Sequence, residues 1–240
     1  MLKNLKKNYS PNFSTPKRNL NMIKYLIIHY TGMLSENKAI NRLTDVNSKV
    51  SCHYFIKKNG QIIILVPEKY ISWHAGKSAW KNYKSLNRYS IGIEIQNPGH
   101  NNKYENFNSK QLDSTIKICK YLKKKYNIKS KNILGHSDIS YERKKDPGEK
   151  FPWKLLAKKK LSIWHCIKTN ELLFNRCKKV HKMEEKNFFL DLNKIGYLKA
   201  SSPKSKKNLI IAFQRRFRPE LVSGYIDKEC LMIANNLRNA

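Results

Sequence analysis

The sequence predicts an α/β protein with a small helical domain at its C-terminal end. Three observations predict it. Between about residues 20 and 165, short β-branched runs alternate with stretches of helical spacing. After about residue 165 the strand-like runs stop, and only short helical patterns remain. Hydrophobic residues make up 40% of 240, enough for a packed core in one substantial domain plus a smaller one. The expected division is a lead-in over 1–20, a main domain over 21–165 and a helical domain over 166–240.

The lead-in is polar and carries two prolines. Residues 23–30 form a β-branched run, read as a buried strand ending near His29. Residues 35–44 have helical character, with Ser35 placed to cap them. Two strand-like runs, 51–58 and 61–67, flank Asn59-Gly60, a strong hairpin signal. Residues 90–96 alternate, so Ile91, Ile93 and Ile95 share one face while Gly92, Glu94 and Gln96 share the other. Residues 109–126 space Leu112, Ile116, Cys119 and Leu122 helically, with Ser109 as the expected cap and Asp113 near the start. Residues 131–136 read as a further strand ending in His136. The helical region reads as 172–174, 188–195, 208–217 and 227–237, interrupted by a polar linker at 201–207. No internal repeat is visible.

The formal net charge is +32, from 49 Lys+Arg against 17 Asp+Glu. Such an excess favours polyanions: nucleic acid, an anionic membrane surface or an anionic envelope polymer. Lysine far outnumbers arginine and is spread along the whole chain, which reads as solvated faces rather than a specific reader; base readers rely on arginine forks. A specific nucleic-acid partner is not expected. The five cysteines are odd in number and lack C-x-x-C spacing, so neither a disulfide framework nor a cysteine zinc cluster is expected. No secretory h-region, lipidation cysteine near the start or membrane-spanning stretch is visible. Cytoplasmic location follows as the expectation, with the cell envelope as the alternative.

Chemistry concentrates in a few settings. His29 and His136 end apolar runs, where loops build sites in sheet folds. Asp146 precedes Pro147-Gly148, a rigid turn. Two imidazoles and a carboxylate would make a zinc site with its fourth position open to water. Each histidine alone reads first as a structural residue, and the separations in sequence show nothing on their own. Glu94 in an Ile-rich strand is costly to bury unless paired or functional. It reads either as a solvent-facing position or as a general base with a raised pKa.

Six ordered segments carry a resemblance: Tyr25-Leu-Ile-Ile-His-Tyr-Thr-Gly32, Ser51-Cys-His-Tyr-Phe55, Trp73-His-Ala-Gly76, Ser90-Ile-Gly-Ile-Glu-Ile95, Gly135-His-Ser-Asp138 and Lys144-Lys-Asp-Pro-Gly148. Over about residues 10–165 the chain resembles the zinc-dependent N-acetylmuramoyl-L-alanine amidases of the AmpD/AmiD type. These type 2 amidases share a fold with peptidoglycan recognition proteins and T7-type phage lysozyme. The segments 209–219 and 224–227 look like the helical peptidoglycan-binding domain of the AmiD branch. The resemblance implies a mixed central β-sheet flanked by helices, zinc as cofactor, and muropeptides or peptidoglycan as substrate. It implies that His29, His136 and Asp146 hold zinc, that Glu94 is the catalytic glutamate, and that Lys144 steadies the oxyanion. Lys145, next in sequence, leaves that last assignment ambiguous by one position. His53, Trp73, His74 and Asn87 are expected to line the substrate groove, Trp73 by stacking. Arg215, Arg216 and Arg218 read either as partners of stem-peptide carboxylates or as a solvated face. A monomer is expected. The competing readings are a non-catalytic peptidoglycan-binding module and a nucleic-acid binder.

Overall fold

The computed structural model describes residues 5–239. Its strands are β1 (Lys6–Lys7), β2 (Phe13–Ser14), β3 (Tyr25–Tyr30), β4 (Tyr54–Ile56), β5 (Ile62–Ile64), β6 (Ile71–Ser72), β7 (Ala79–Trp80), β8 (Tyr83–Lys84), β9 (Ser90–Ile95) and β10 (Ile133–Gly135). Its α-helices are α1 (Glu36–Thr44), α2 (Ser109–Lys125), α3 (His136–Ile139), α4 (Trp153–Lys158), α5 (Thr169–Asn175), α6 (Lys182–Ile195), α7 (Pro203–Phe217) and α8 (Lys228–Leu237). The main sheet runs β1-β5-β4-β9-β3-β10. Only β4 and β5 pair antiparallel, through the Asn59-Gly60 hairpin; every other neighbour is parallel. The sheet is therefore mixed, as the resemblance implied.

Alternation divides the sheet into two faces. Leu26 and Ile28 join Ile91, Ile93 and Ile95 against Ile118, Cys119 and Leu122 of α2 and Leu156 of α4. Tyr25, Ile27 and Leu134 face the other way and meet Phe188 of α6, Phe213 and Phe217 of α7 and Ile233 of α8. The C-terminal helices thus close the second face of the sheet, and each large apolar side chain buried there contributes about 1.5–3 kcal/mol. The N-terminal stretch also joins the body. β1 pairs with β5, β2 pairs with β6, and buried Arg18 donates to the carbonyls of Glu68 and Ser90 at 2.8 and 2.7 Å.

Four expectations require correction. Asn108, not Ser109, caps α2. Its side chain accepts from the Gln111 N–H, and Gln111 Oε1 accepts from the Asn108 N–H in return. The buried face of α2 is Gln111, Thr115, Ile118, Cys119 and Leu122, with Leu112 and Ile116 at its margin. Two polar residues lie on that face because Gln111 Nε2 donates to the Gln96 carbonyl and Thr115 Oγ1 to the Gln111 carbonyl. The segment 201–207 is not a linker: Ser202 caps α7 and Pro203 occupies its first turn. His136 does not end a strand; it opens α3 directly after β10.

Candidate metal centre

Parallel register sets His29 beside Glu94 on neighbouring strands, at the C-terminal ends of β3 and β9. β10 runs parallel on the far side of β3 and delivers His136 at its end. The Ser137 N–H donates to the Asp146 carbonyl at 2.8 Å, which ties the Asp146 turn to α3. His29 Nδ1 and His136 Nδ1 lie 2.9 Å apart, and Asp146 Oδ2 lies 2.9 and 3.0 Å from them. Residues 107 and 117 positions apart in sequence therefore meet at one point. All three are buried.

The donor set fits a zinc ion. His136 Nε2 donates to the Ala75 carbonyl at 3.1 Å, so its Nδ1 is a bare lone pair in the neutral ring. That lone pair converges with a carboxylate oxygen, an arrangement a cation relieves. Zinc bonds to nitrogen and oxygen are about 2.0–2.2 Å, and three donors about 3 Å apart can share one such ion with a fourth side open. Charge supports the same picture. Burial, with His136 adding to it, lowers His29 to about 4, so the ring is neutral at physiological pH.

Glu94 and Lys144 border an open cleft of about 530 Å³ together with His136, Asp146 and Trp73. One Glu94 oxygen, Oε2, is shut from water and has no hydrogen-bond partner among the described residues. Burial first, and Asp146 second, push the Glu94 pKa well up, while Lys144 opposes them. Lys144 acts electrostatically on both Glu94 and His29. Lys145 also borders the cleft but is exposed.

The remaining expected residues divide. Trp73 and His74 border the cleft, and Trp73 Nε1 donates to Ser14 Oγ at 2.8 Å. His53 and Asn87 lie behind it. His53 is fully buried, with Ser72 and the Gly92 N–H at Nδ1 and Arg18 and the Tyr70 carbonyl at Nε2. Asn87 Oδ1 accepts from the N–H groups of His74 and Ala75 at 3.1 and 2.7 Å. Arg216 and Arg218 are neither solvated nor turned to a ligand. Arg216 is buried against Asp138, and Arg218 against Asp227 and Glu229. Arg215 faces Glu149 at 3.5 Å. Arg143 escaped notice in the sequence. Its guanidinium donates to the Lys77 carbonyl at 3.0 Å and also reaches the Ala75 carbonyl, bracing the loop beside His136. An arginine among lysines three residues before Asp146 was the available signal.

The family model described as N-acetylmuramoyl-L-alanine amidase matches residues 19–149. The chain belongs to this amidase family. N-acetylmuramoyl-L-alanine amidase AmiD of Escherichia coli (strain K12) is 36% identical over 231 residues, covering 90% of this chain and 82% of that protein. The 1,6-anhydro-N-acetylmuramyl-L-alanine amidase AmpD of Citrobacter freundii is 32% identical over 124 residues, 52% of this chain and 64% of that protein. Among solved structures, AmiD from E. coli in complex with anhydro-N-acetylmuramic acid-L-Ala-D-gamma-Glu-L-Lys superposes with a TM-score of 0.80 at 33% identity, covering 94% of this chain and 91% of that one. AmpDh3 from Pseudomonas aeruginosa in complex with anhydromuramic pentapeptide also superposes at 0.80, with 28% identity and 94% of each chain covered. The similarity to AmiD and AmpDh3 extends through the C-terminal helices. The protein is an amidase.

Proposed function

We propose that this amidase hydrolyses the amide between N-acetylmuramic acid and L-alanine in muropeptides or peptidoglycan, with zinc held by His29, His136 and Asp146. One observation carries the reading: two imidazole nitrogens and a carboxylate oxygen converge beside Glu94, and Glu94, His136 and Asp146 line an open cleft. Bound zinc would lower the pKa of water to about 7 and polarise the scissile carbonyl. Glu94 takes a proton from the attacking water and returns it to the departing alanine nitrogen. Its raised pKa suits a carboxyl that must hold that proton near neutral pH. The Lys144 ammonium offsets negative charge that builds on the carbonyl oxygen. Trp73 offers a flat face at the cleft margin for a sugar ring or peptide plane. His53 and Asn87 support the cleft from behind.

The muropeptide ligands of AmiD and AmpDh3 support this substrate class. All five cysteines are unpaired, which suits a reducing compartment and supports soluble anhydro-muropeptides as the substrate pool. Among the described residues no helix is long and apolar enough to cross a membrane. The test strips the purified protein with chelator and measures release of L-alanine-terminated peptide from anhydro-muropeptide. Turnover should vanish and return on adding zinc. Lys144→Met should lower kcat by about 10²–10³-fold, the scale of losing one oxyanion donor, and Lys145→Met should leave it near wild type. Undiminished turnover by protein verified as metal-free would overturn the zinc role. Faster cleavage of intact sacculi than of soluble fragments would overturn the pool.

A further inference from the structure

We infer that the 73–76 loop and Ser90 set the tautomers of both ligand histidines, making His74 a positioning residue rather than a contact for substrate. This deepens the zinc reading above and rests on it.

The inference follows from counting protons along one hydrogen-bond chain. A carbonyl oxygen only accepts. Ser90 Oγ lies 2.6 Å from the Leu86 carbonyl and spends its single proton there. The same Oγ lies 3.2 Å from His74 Nε2, so at that contact it accepts and His74 carries its proton on Nε2. A neutral imidazole has one N–H, which leaves His74 Nδ1 as an acceptor. His29 Nε2 lies 3.0 Å from His74 Nδ1 and therefore donates to it. His29 Nδ1 is then bare, and it is the atom that faces Asp146 Oδ2 and His136 Nδ1.

The neighbouring residue serves the second ligand. Ala75 presents its carbonyl to His136 Nε2 at 3.1 Å, nearer than the Arg143 Nη2 donor at 3.4 Å, and leaves that ring's Nδ1 bare in the same way. Asn87 Oδ1 holds the N–H groups of His74 and Ala75 together, so one side chain fixes both supports. Gly92 gives the chain its room: a Cβ there would lie 2.4 Å from His74 Cγ. Both ring nitrogens of His74 are engaged inside the protein. Partners of this kind, behind the ligands, govern metal affinity by orienting ligands and fixing the ligating nitrogen.

Two readouts test this on the full chain. Nitrogen-15 histidine NMR of the metal-free protein should show His29, His74 and His136 all protonated on Nε2. Zinc affinity, measured by competition with a chromophoric chelator, should fall about 10–100-fold in Ser90→Ala and in His74→Phe. His74→Asn places an amide oxygen near the Nδ1 position and should recover much of that loss. A His74 ring protonated on Nδ1 in the wild type would overturn the inference. So would wild-type zinc affinity in both Ser90→Ala and His74→Phe, with melting temperatures confirming that the variants fold. If the wild-type chain binds no zinc, the metal assignment fails. The tautomers are read without metal and decide the ordered chain separately.

Discussion

Glu94, the proposed general base, carries a stability cost. Its Oε2 is buried without a partner, and its pKa is raised by burial and Asp146. A raised carboxyl stabilises the fold below its unfolded pKa of about 4.5, and that contribution is lost as pH climbs through the folded value. Glu94→Gln should therefore raise the melting temperature of metal-free protein at pH 7 and leave it nearly unchanged near pH 4. The same substitution should lower kcat by about 10²–10⁴-fold. Equal melting temperatures at pH 7 would show that the buried charge carries no cost. The sequence flagged Glu94 because a charge in an alternating apolar run is costly if its face is buried, but only the packing decided that it is. Ser90 and Ala75 gave no such signal. Their roles depend on which ring crosses them, and one contributes only a backbone carbonyl. Arginine usage was a partial signal. Seven of the nine arginines, at 18, 143, 176, 215, 216, 218 and 238, form hydrogen bonds or ion pairs. In a chain this rich in lysine, the guanidinium appears mainly where a fork is needed.

At the scale of elements, α7 holds the segment that carries His136. Arg216 is buried against Asp138 of α3, and its Nη2 donates to the Ile133 carbonyl of β10 at 3.0 Å. Asp138 also accepts from the Tyr197 hydroxyl at 2.6 Å and from the Gly135 N–H at 2.7 Å. Removing one partner of a buried pair leaves a buried charge uncompensated and costs about 3–5 kcal/mol. Arg216→Ala should lower unfolding free energy by that amount in urea titrations and loosen the α3 turn that begins with His136. A loss below about 1 kcal/mol would mean the pair contributes no more than a surface one. The longer elements were readable from periodicity, but the two-residue strands, α3, α4 and many boundaries and faces were not. The buried face of α2 includes Gln111 and Thr115, which hydrophobicity cannot count because their polar atoms are satisfied inside. The start of α7 looked like a linker because serine, proline and lysine also build capped first turns.

For the whole molecule, buried neutral imidazoles predict acid lability. Burial, with neighbouring His136, takes His29 down to about 4; burial takes His53 and His74 well below their ordinary range, with Arg18 adding at the first and His29 at the second. A histidine lowered on folding contributes stability above its unfolded pKa of about 6.5, and loses it as pH falls towards the folded value. Each such ring adds about 1.4 kcal/mol per pH unit to the slope across that window. Glu94 works in the opposite direction, but three imidazoles outweigh one carboxyl. Metal-free protein should therefore show denaturation midpoints that fall steadily from pH 7 to pH 5. A flat profile would show that the three rings are solvated or charged in the folded state. The net charge of +32 adds self-repulsion that grows with further protonation.

The sequence alone determined the alternating strands, the Asn59-Gly60 hairpin, the helical C-terminal region and the residue types from which a metal site could be drawn. These follow from periodicity, turn chemistry and charge, which act over a few residues. Tertiary structure decided which residues meet. Parallel register sets His29 beside Glu94, and β10 brings His136 within 2.9 Å of His29 across 107 positions. The same packing places His74 behind His29 and seals the second sheet face with α6, α7 and α8. A local pattern sets the direction of a side chain along its own element. Only the packing of elements sets which side chains converge, and the proposed zinc site exists only because His29, His136 and Asp146 do.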